Sequence, residues 1–92
     1  MPRKINKEAR AGSFESNDLI VTVSPADSGI NIGINSVVSD MYFDSIKSTV
    51  LEELKELGVE NANVTIDDRG ALPFAIKARV KTAVMRGSGD EL

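Results

Sequence analysis

No Cys and no His occur among the 92 residues, so any chemistry must come from hydroxyls, carboxylates and amines. The commonest general base and the commonest transition-metal ligand are both missing. A thiolate nucleophile, a disulfide framework and a cysteine-rich zinc site are excluded with them. Three stretches still bring reactive side chains together: "DDRG" (Asp67–Gly70), "FDSIKS" (Phe43–Ser48) and "AGSFES" (Ala11–Ser16).

The pair Asp67–Asp68 could share a proton or bind a cation, but such work needs a cleft and usually more than two ligands. A turn that closes a strand and opens a helix accounts for it more simply. Asp44-Ser45-Ile46 matches the short motif at which conventional acyl carrier proteins take phosphopantetheine. Those carriers are all-helical, whereas two alternating runs precede this motif, and Phe43 shares an apolar stripe with Ile46 and Val50. Ser45 therefore falls inside a helix, and the match is read as coincidence. "AGSFES" is small and polar, and by composition alone it is a mobile terminus.

The elements that position these residues follow from hydrophobic period. In "DLIVTVS", Leu19, Val21 and Val23 share one face; in "GINIGIN", Ile30, Ile32 and Ile34 do. Period-two alternation marks strands buried on one side. "PADS" followed by Gly29 supplies turn chemistry for a hairpin between them. The period then changes: Phe43, Ile46, Val50, Leu54 and Leu57, broadened by Leu51, form a helical stripe that Ser39 or Asp40 can cap and Gly58 can end. "NANVTID" is a third strand, with Ala62, Val64 and Ile66 inward. "ALPFAIKARVKTAVMR" fits either period, but its alanines, its basic side chains and Pro73 at the first position favour a helix.

The predicted class is α/β (α+β) in the order β-β-α-β-α: a two-layer sandwich with a three-stranded mixed sheet and two helices on one face. Strand order is not readable from the pattern. Residues 1–17 are expected to be a flexible segment, 18–86 a single domain and 87–92 a flexible tail. The chain has room for one core, and no run approaches the roughly 20 apolar residues of a membrane span. The basic N-terminus has no apolar block behind it, which argues against a secretory signal; the expected setting is the cytoplasm. A net charge of −3 argues against non-specific nucleic-acid binding. Acids dominate Asp40–Asp68, and every charge from Arg69 to Arg86 is positive. Two solvated helix faces that attract one another explain this, and a basic face for an acidic partner is the alternative.

Over most of its length the chain also resembles the acyl carrier protein, or gamma subunit, of citrate lyase. Four features carry the resemblance in order: Ala11-Gly12-x-x-Glu15-Ser16 followed by Asp18; "VTVSP" leading to "INSVV"; the helix ending in "LKELGV"; and "DDRGALPFAIKARV", with Gly70, Ala71, Leu72, Ala78 and Arg79 at matching places. The resemblance implies that Ser16 carries 2'-(5''-phosphoribosyl)-3'-dephospho-CoA through a phosphodiester. It implies a non-catalytic subunit working with an alpha subunit (acyl transferase), a beta subunit (citryl lyase) and a prosthetic-group transferase, in the cleavage of citrate to acetate and oxaloacetate. The missing thiol would then belong to the cofactor. Ser13 is a neighbouring hydroxyl that the sequence does not exclude. Glu15 and Asp18 either help the transferase recognise the site or only solvate the loop. The family often has Asp-Cys where this chain has Pro73-Phe74, and Thr-Leu at Ser13-Phe14. Pro at that place occurs in the related malonate decarboxylase carrier, which keeps a carrier of that complex as an alternative, beside a cofactor-free interaction domain.

Overall fold

A computed structural model describes residues 2–37 and 42–89. Its elements are β1 (Ala9–Gly12), β2 (Leu19–Ser24), β3 (Ile30–Ser36), α1 (Phe43–Glu56), β4 (Ala62–Asp68) and α2 (Pro73–Ser88). They form two layers. One mixed sheet runs in the order β1-β2-β4-β3, with β3 and β4 parallel and the other pairs antiparallel. Leu19, Val21 and Val23 of β2 and Val64 and Ile66 of β4 point into a core closed by Val50 and Leu54 of α1 and Val80 and Val84 of α2. Each such side chain contributes about 1.5–3 kcal/mol by leaving water. The opposite sheet face is polar, presenting Asn31, Asn35, Asn63 and Thr65.

The mixed sheet with both helices on one face is as the periodicity predicts, but the sheet has four strands and not three. The fourth comes from the segment expected to be flexible: Ala9–Gly12 pairs antiparallel with β2, from Ala9 opposite Val23 to Gly12 opposite Ile20. Ala9 and Ala11 alternate inward, yet two alanines make too weak an apolar signal to mark a strand. They are small because α2 packs directly above them. Ile5 is buried in the core, and the Asn6 and Lys7 amides donate to the Gly87 carbonyl at 2.9 and 3.2 Å. Gly87 permits this approach, since a Cβ there would stand 2.9 Å from Val23 Cγ2.

The hairpin between the first two alternating runs is also corrected. β2 and β3 are not neighbours, because β4 lies between them. The connection β3-α1-β4 is a parallel crossover, and β4, whose inward residues are all buried, takes the central place while half-buried β3 takes the edge. In α1 the buried stripe is Ile46, Val50, Glu53 and Leu54, whereas Leu51 is exposed. Gly58 ends that helix at φ 77°, as its position predicts; the proposed caps Ser39 and Asp40 lie outside the described residues. The ambiguous last segment is helical from Pro73, and it runs through Gly87 and Ser88 of the expected tail to a left-handed Gly89. Residues 90–92 of that tail lie outside the described residues.

Candidate functional site

The connection from β1 to β2 contains Ser13 and Ser16, and its shape is fixed by residues from both ends of the chain. Gly12 leaves β1 at φ 118°, a conformation glycine adopts freely. A Cβ at Gly12 would lie 1.7 Å from the Leu19 carbonyl oxygen, so no other residue fits without moving the neighbouring strand. The Ser13 amide donates to that same carbonyl at 3.1 Å and extends the ladder. The chain reverses through residues 15–18, where the Asp18 amide donates to the Glu15 carbonyl at 3.2 Å. Asn17 takes the left-handed conformation at φ 66°, one that Asn tolerates better than most residues.

Two backbone hydrogen bonds tie this turn to the connection between β4 and α2. The Asn17 amide donates to the Arg69 carbonyl at 2.8 Å, and the Arg69 amide donates to the Asp18 carbonyl at 2.9 Å. Side chains complete the fastening. Asp18 accepts Arg79 Nε at 3.1 Å on Oδ1 and Arg79 Nη2 at 2.7 Å on Oδ2, the two-pronged geometry that suits guanidinium and carboxylate. The same carboxylate accepts the Ser13 hydroxyl at 2.6 Å and its neighbour's amide, Leu19, at 2.8 Å. The Arg79 hydrogen bonds, followed by that from Ser13, hold the Asp18 carboxyl well below the usual carboxylate range, and Asp18 in turn raises Arg79.

Ser16 sits at the crest of this turn and is exposed. Ser13 is half-buried; its hydroxyl is spent on Asp18 and also accepts the Glu15 amide at 3.3 Å. Phe14 stands 62% exposed beside them, with the Arg69 guanidinium 5.4 Å from its ring centroid. A shallow groove lined by Asn17, Asp18, Leu72, Phe74 and Arg79 opens next to the turn.

The other two stretches are resolved differently. Asp67 and Asp68 are consecutive on β4 and so face opposite sides of the sheet. Asp68 is only 2% exposed, and it accepts the Ser36 hydroxyl at 2.7 Å and the Gly70 and Ala71 amides at 3.2 and 2.9 Å. It closes the strand into α2, as the turn interpretation requires; Asp67 lies 3.8 Å from Arg69 Nε. Among the described residues no group of three or more His, Cys, Asp or Glu could hold a metal ion. Ser45 is exposed in the first turn of α1, and its carbonyl accepts the Thr49 hydroxyl at 2.9 Å. The positive run is largely engaged within the fold: Lys77 meets Glu52 of α1 at 3.1 Å, Arg79 meets Asp18, and Arg86 donates to the Arg10 carbonyl at 2.9 Å. What the sequence did not disclose is that Asp18 and Arg79, 61 positions apart, form one unit. The one signal available was that both lie in the segments carrying the family resemblance.

Fold and site define a small α+β presenting domain: a two-layer body with a free serine on a turn fastened from behind. The comparisons narrow this class. Residues 6–87 match the acyl carrier protein family described as malonate decarboxylase delta subunit (MdcD). The citrate lyase acyl carrier protein of Pectobacterium atrosepticum is 48% identical over 88 residues, covering 96% of this chain and 92% of that protein. That of Fusobacterium nucleatum is 51% identical over 79 residues, covering 85% and 84%. A chain in the crystal structure of a Pseudomonas malonate decarboxylase hetero-tetramer in complex with malonate shares the fold, with a TM-score of 0.75, 22% identity, and coverage of 92% of this chain and 88% of that one. This chain belongs to the family of citrate lyase acyl carrier proteins.

Proposed function

We propose that this chain is the acyl carrier subunit of a citrate lyase, with Ser16 as the attachment point of phosphoribosyl-dephospho-CoA. Near 48% identity to a citrate lyase acyl carrier protein over almost the whole of both chains carries the proposal for the complex. The free hydroxyl of Ser16, beside the committed hydroxyl of Ser13, supports the site. A phosphodiester at Ser16 needs an oxygen that a second enzyme can reach and that no internal bond withholds, and this residue meets both conditions. When attached, the group supplies the thiol on which acyl units are held. The chain's own contribution is to fix the near end of the arm on a rigid body, so that the far end visits two active sites at high effective concentration without release.

The working partners are then the alpha and beta subunits and the prosthetic-group transferase, and the complex is cytoplasmic. No described helix is long and apolar enough to cross a membrane. A carrier of malonate decarboxylase is the second reading, favoured by the family description and by Pro73. Reconstitution separates the two. The modified chain should restore citrate cleavage to citrate lyase alpha and beta subunits. Restoration only of malonate decarboxylase subunits would replace the first reading with the second.

A further inference from the structure

The turn bearing Ser16 is anchored more heavily than an accessible loop requires. Its backbone already has the Ser13, Asn17, Asp18 and Arg69 hydrogen bonds described above. Added to these is a carboxylate that gathers four donors: Nε and Nη2 of Arg79, the Ser13 hydroxyl and the Leu19 amide. Asp18 is the last residue before β2, and Arg79 lies near the middle of α2. The pair therefore fastens the turn to the helix layer and fixes where its crest stands relative to the body. It also disposes of the nearest competing nucleophile, because the Ser13 proton points at Asp18 Oδ2.

Resting on the attachment reading above, we infer that Asp18 and Arg79 are positioning residues for modification of Ser16: their two-pronged ion pair holds the turn in the one conformation that the prosthetic-group transferase accepts. In the transfer step the Ser16 oxygen forms a new bond to phosphorus of a phosphoanhydride donor. The bond from that phosphorus to the leaving phosphate breaks, the leaving group departs with the electron pair, and the serine proton passes to a base of the transferase. Neither Asp18 nor Arg79 touches the reacting atoms. They act by keeping the competent turn populated, and a less populated turn weakens apparent affinity in proportion.

The discriminating experiment measures modification kinetics of the full chain with purified transferase and donor, alongside hydrogen exchange of the amides at Ser13, Asn17, Asp18 and Leu19. Arg79→Met should raise turn exchange and raise KM by about threefold to fivefold, with kcat within about twofold of the wild type. Arg79→Lys, which keeps the charge but not the fork, should fall between the two. Lys77→Met, which removes a neighbouring cation of α2 that pairs with Glu52, should match the wild type; core-amide protection verifies that each variant is folded. Wild-type kinetics in Arg79→Met with a loosened turn would overturn the inference. So would a raised KM with turn exchange unchanged, since Arg79 would then act by touching the transferase. Acceptance of the group by Ser16→Ala would instead refute the attachment reading, whatever the turn variants do.

Discussion

Two exposed serines of this molecule have similar local sequences and opposite surroundings. Ser16 and Ser45 each lie within two residues of a phenylalanine and an acidic residue, and each is open to solvent. Around Ser45 the order is local: Thr49 reaches back one turn to its carbonyl, as in any exposed helix. Around Ser16 the order is long-range, with Arg69 and Arg79 brought in from the far end of the chain. Exposure decides whether a hydroxyl can be reached. Fastening decides in which geometry a partner meets it: Ser45 is held on the regular surface of α1, whereas Ser16 stands on a turn held by residues distant in the sequence.

Ser16→Ala should abolish gain of the prosthetic group and citrate cleavage by the assembled complex, whereas Ser45→Ala should leave both unchanged; intact mass and a coupled activity assay read the two outcomes. Next comes Gly12→Ala, which strikes the backbone behind the turn. A Cβ at 1.7 Å from the Leu19 oxygen, on a residue at φ 118°, should cost roughly 2–4 kcal/mol by denaturant unfolding.

The ion pair makes a smaller and pH-dependent contribution. Arg79 is 41% exposed as a side chain, so screening limits the pair to about 1 kcal/mol. Because Asp18 titrates lower in the folded chain than in the unfolded one, its stabilisation is complete above the unfolded carboxylate range. It is lost as pH falls toward the depressed folded value. The difference in Tm between wild type and Asp18→Asn should therefore stay constant from neutral pH down to about pH 5 and shrink below about pH 4. A difference that vanished by pH 6 would contradict the bonding seen at Asp18.

Glu53 has the opposite sign and the smallest effect. Burial, and then the neighbouring Glu56, push its carboxyl upward. Its ionisation thus opposes folding as pH rises through and above the ordinary carboxylate range. Glu53→Gln should raise Tm by a few degrees at pH 7 and by less at pH 4, measured by calorimetry.

How much of this was legible in the sequence depended on what carried the signal. The runs Leu19–Ser24, Ile30–Ser36 and Ala62–Asp68 and helix α1 declare themselves because branched apolar residues repeat with the period of their element, whereas α2 fits either period and is read from its alanines, its basic side chains and Pro73. β1 does not declare itself, because its inward residues are alanines kept small by the helix above. The place of β4 between β2 and β3 was hidden because alternation encodes which face is buried and not which strand is beside it. At the site, Ser16 was reachable only through family resemblance, since a polar stretch with glycine looks the same whether loose or fastened. The ion pair between Asp18 and Arg79 was beyond any periodicity, as its partners meet only after the sheet and α2 have formed.

Whether the fastened serine is the modified one can be read from two digests, because the sequence supplies the cuts. Cleavage after Glu15 separates Ser13 from Ser16, and cleavage before Asp18 separates Ser16 from Ser45. Mapping protein purified from a host that holds the transferase should place the added mass on the fragment beginning at Ser16 in the first digest and on the fragment ending at Asn17 in the second. Added mass on the fragment ending at Glu15, or on the one containing Ser45 in the second digest, would rule out Ser16 as the attachment point.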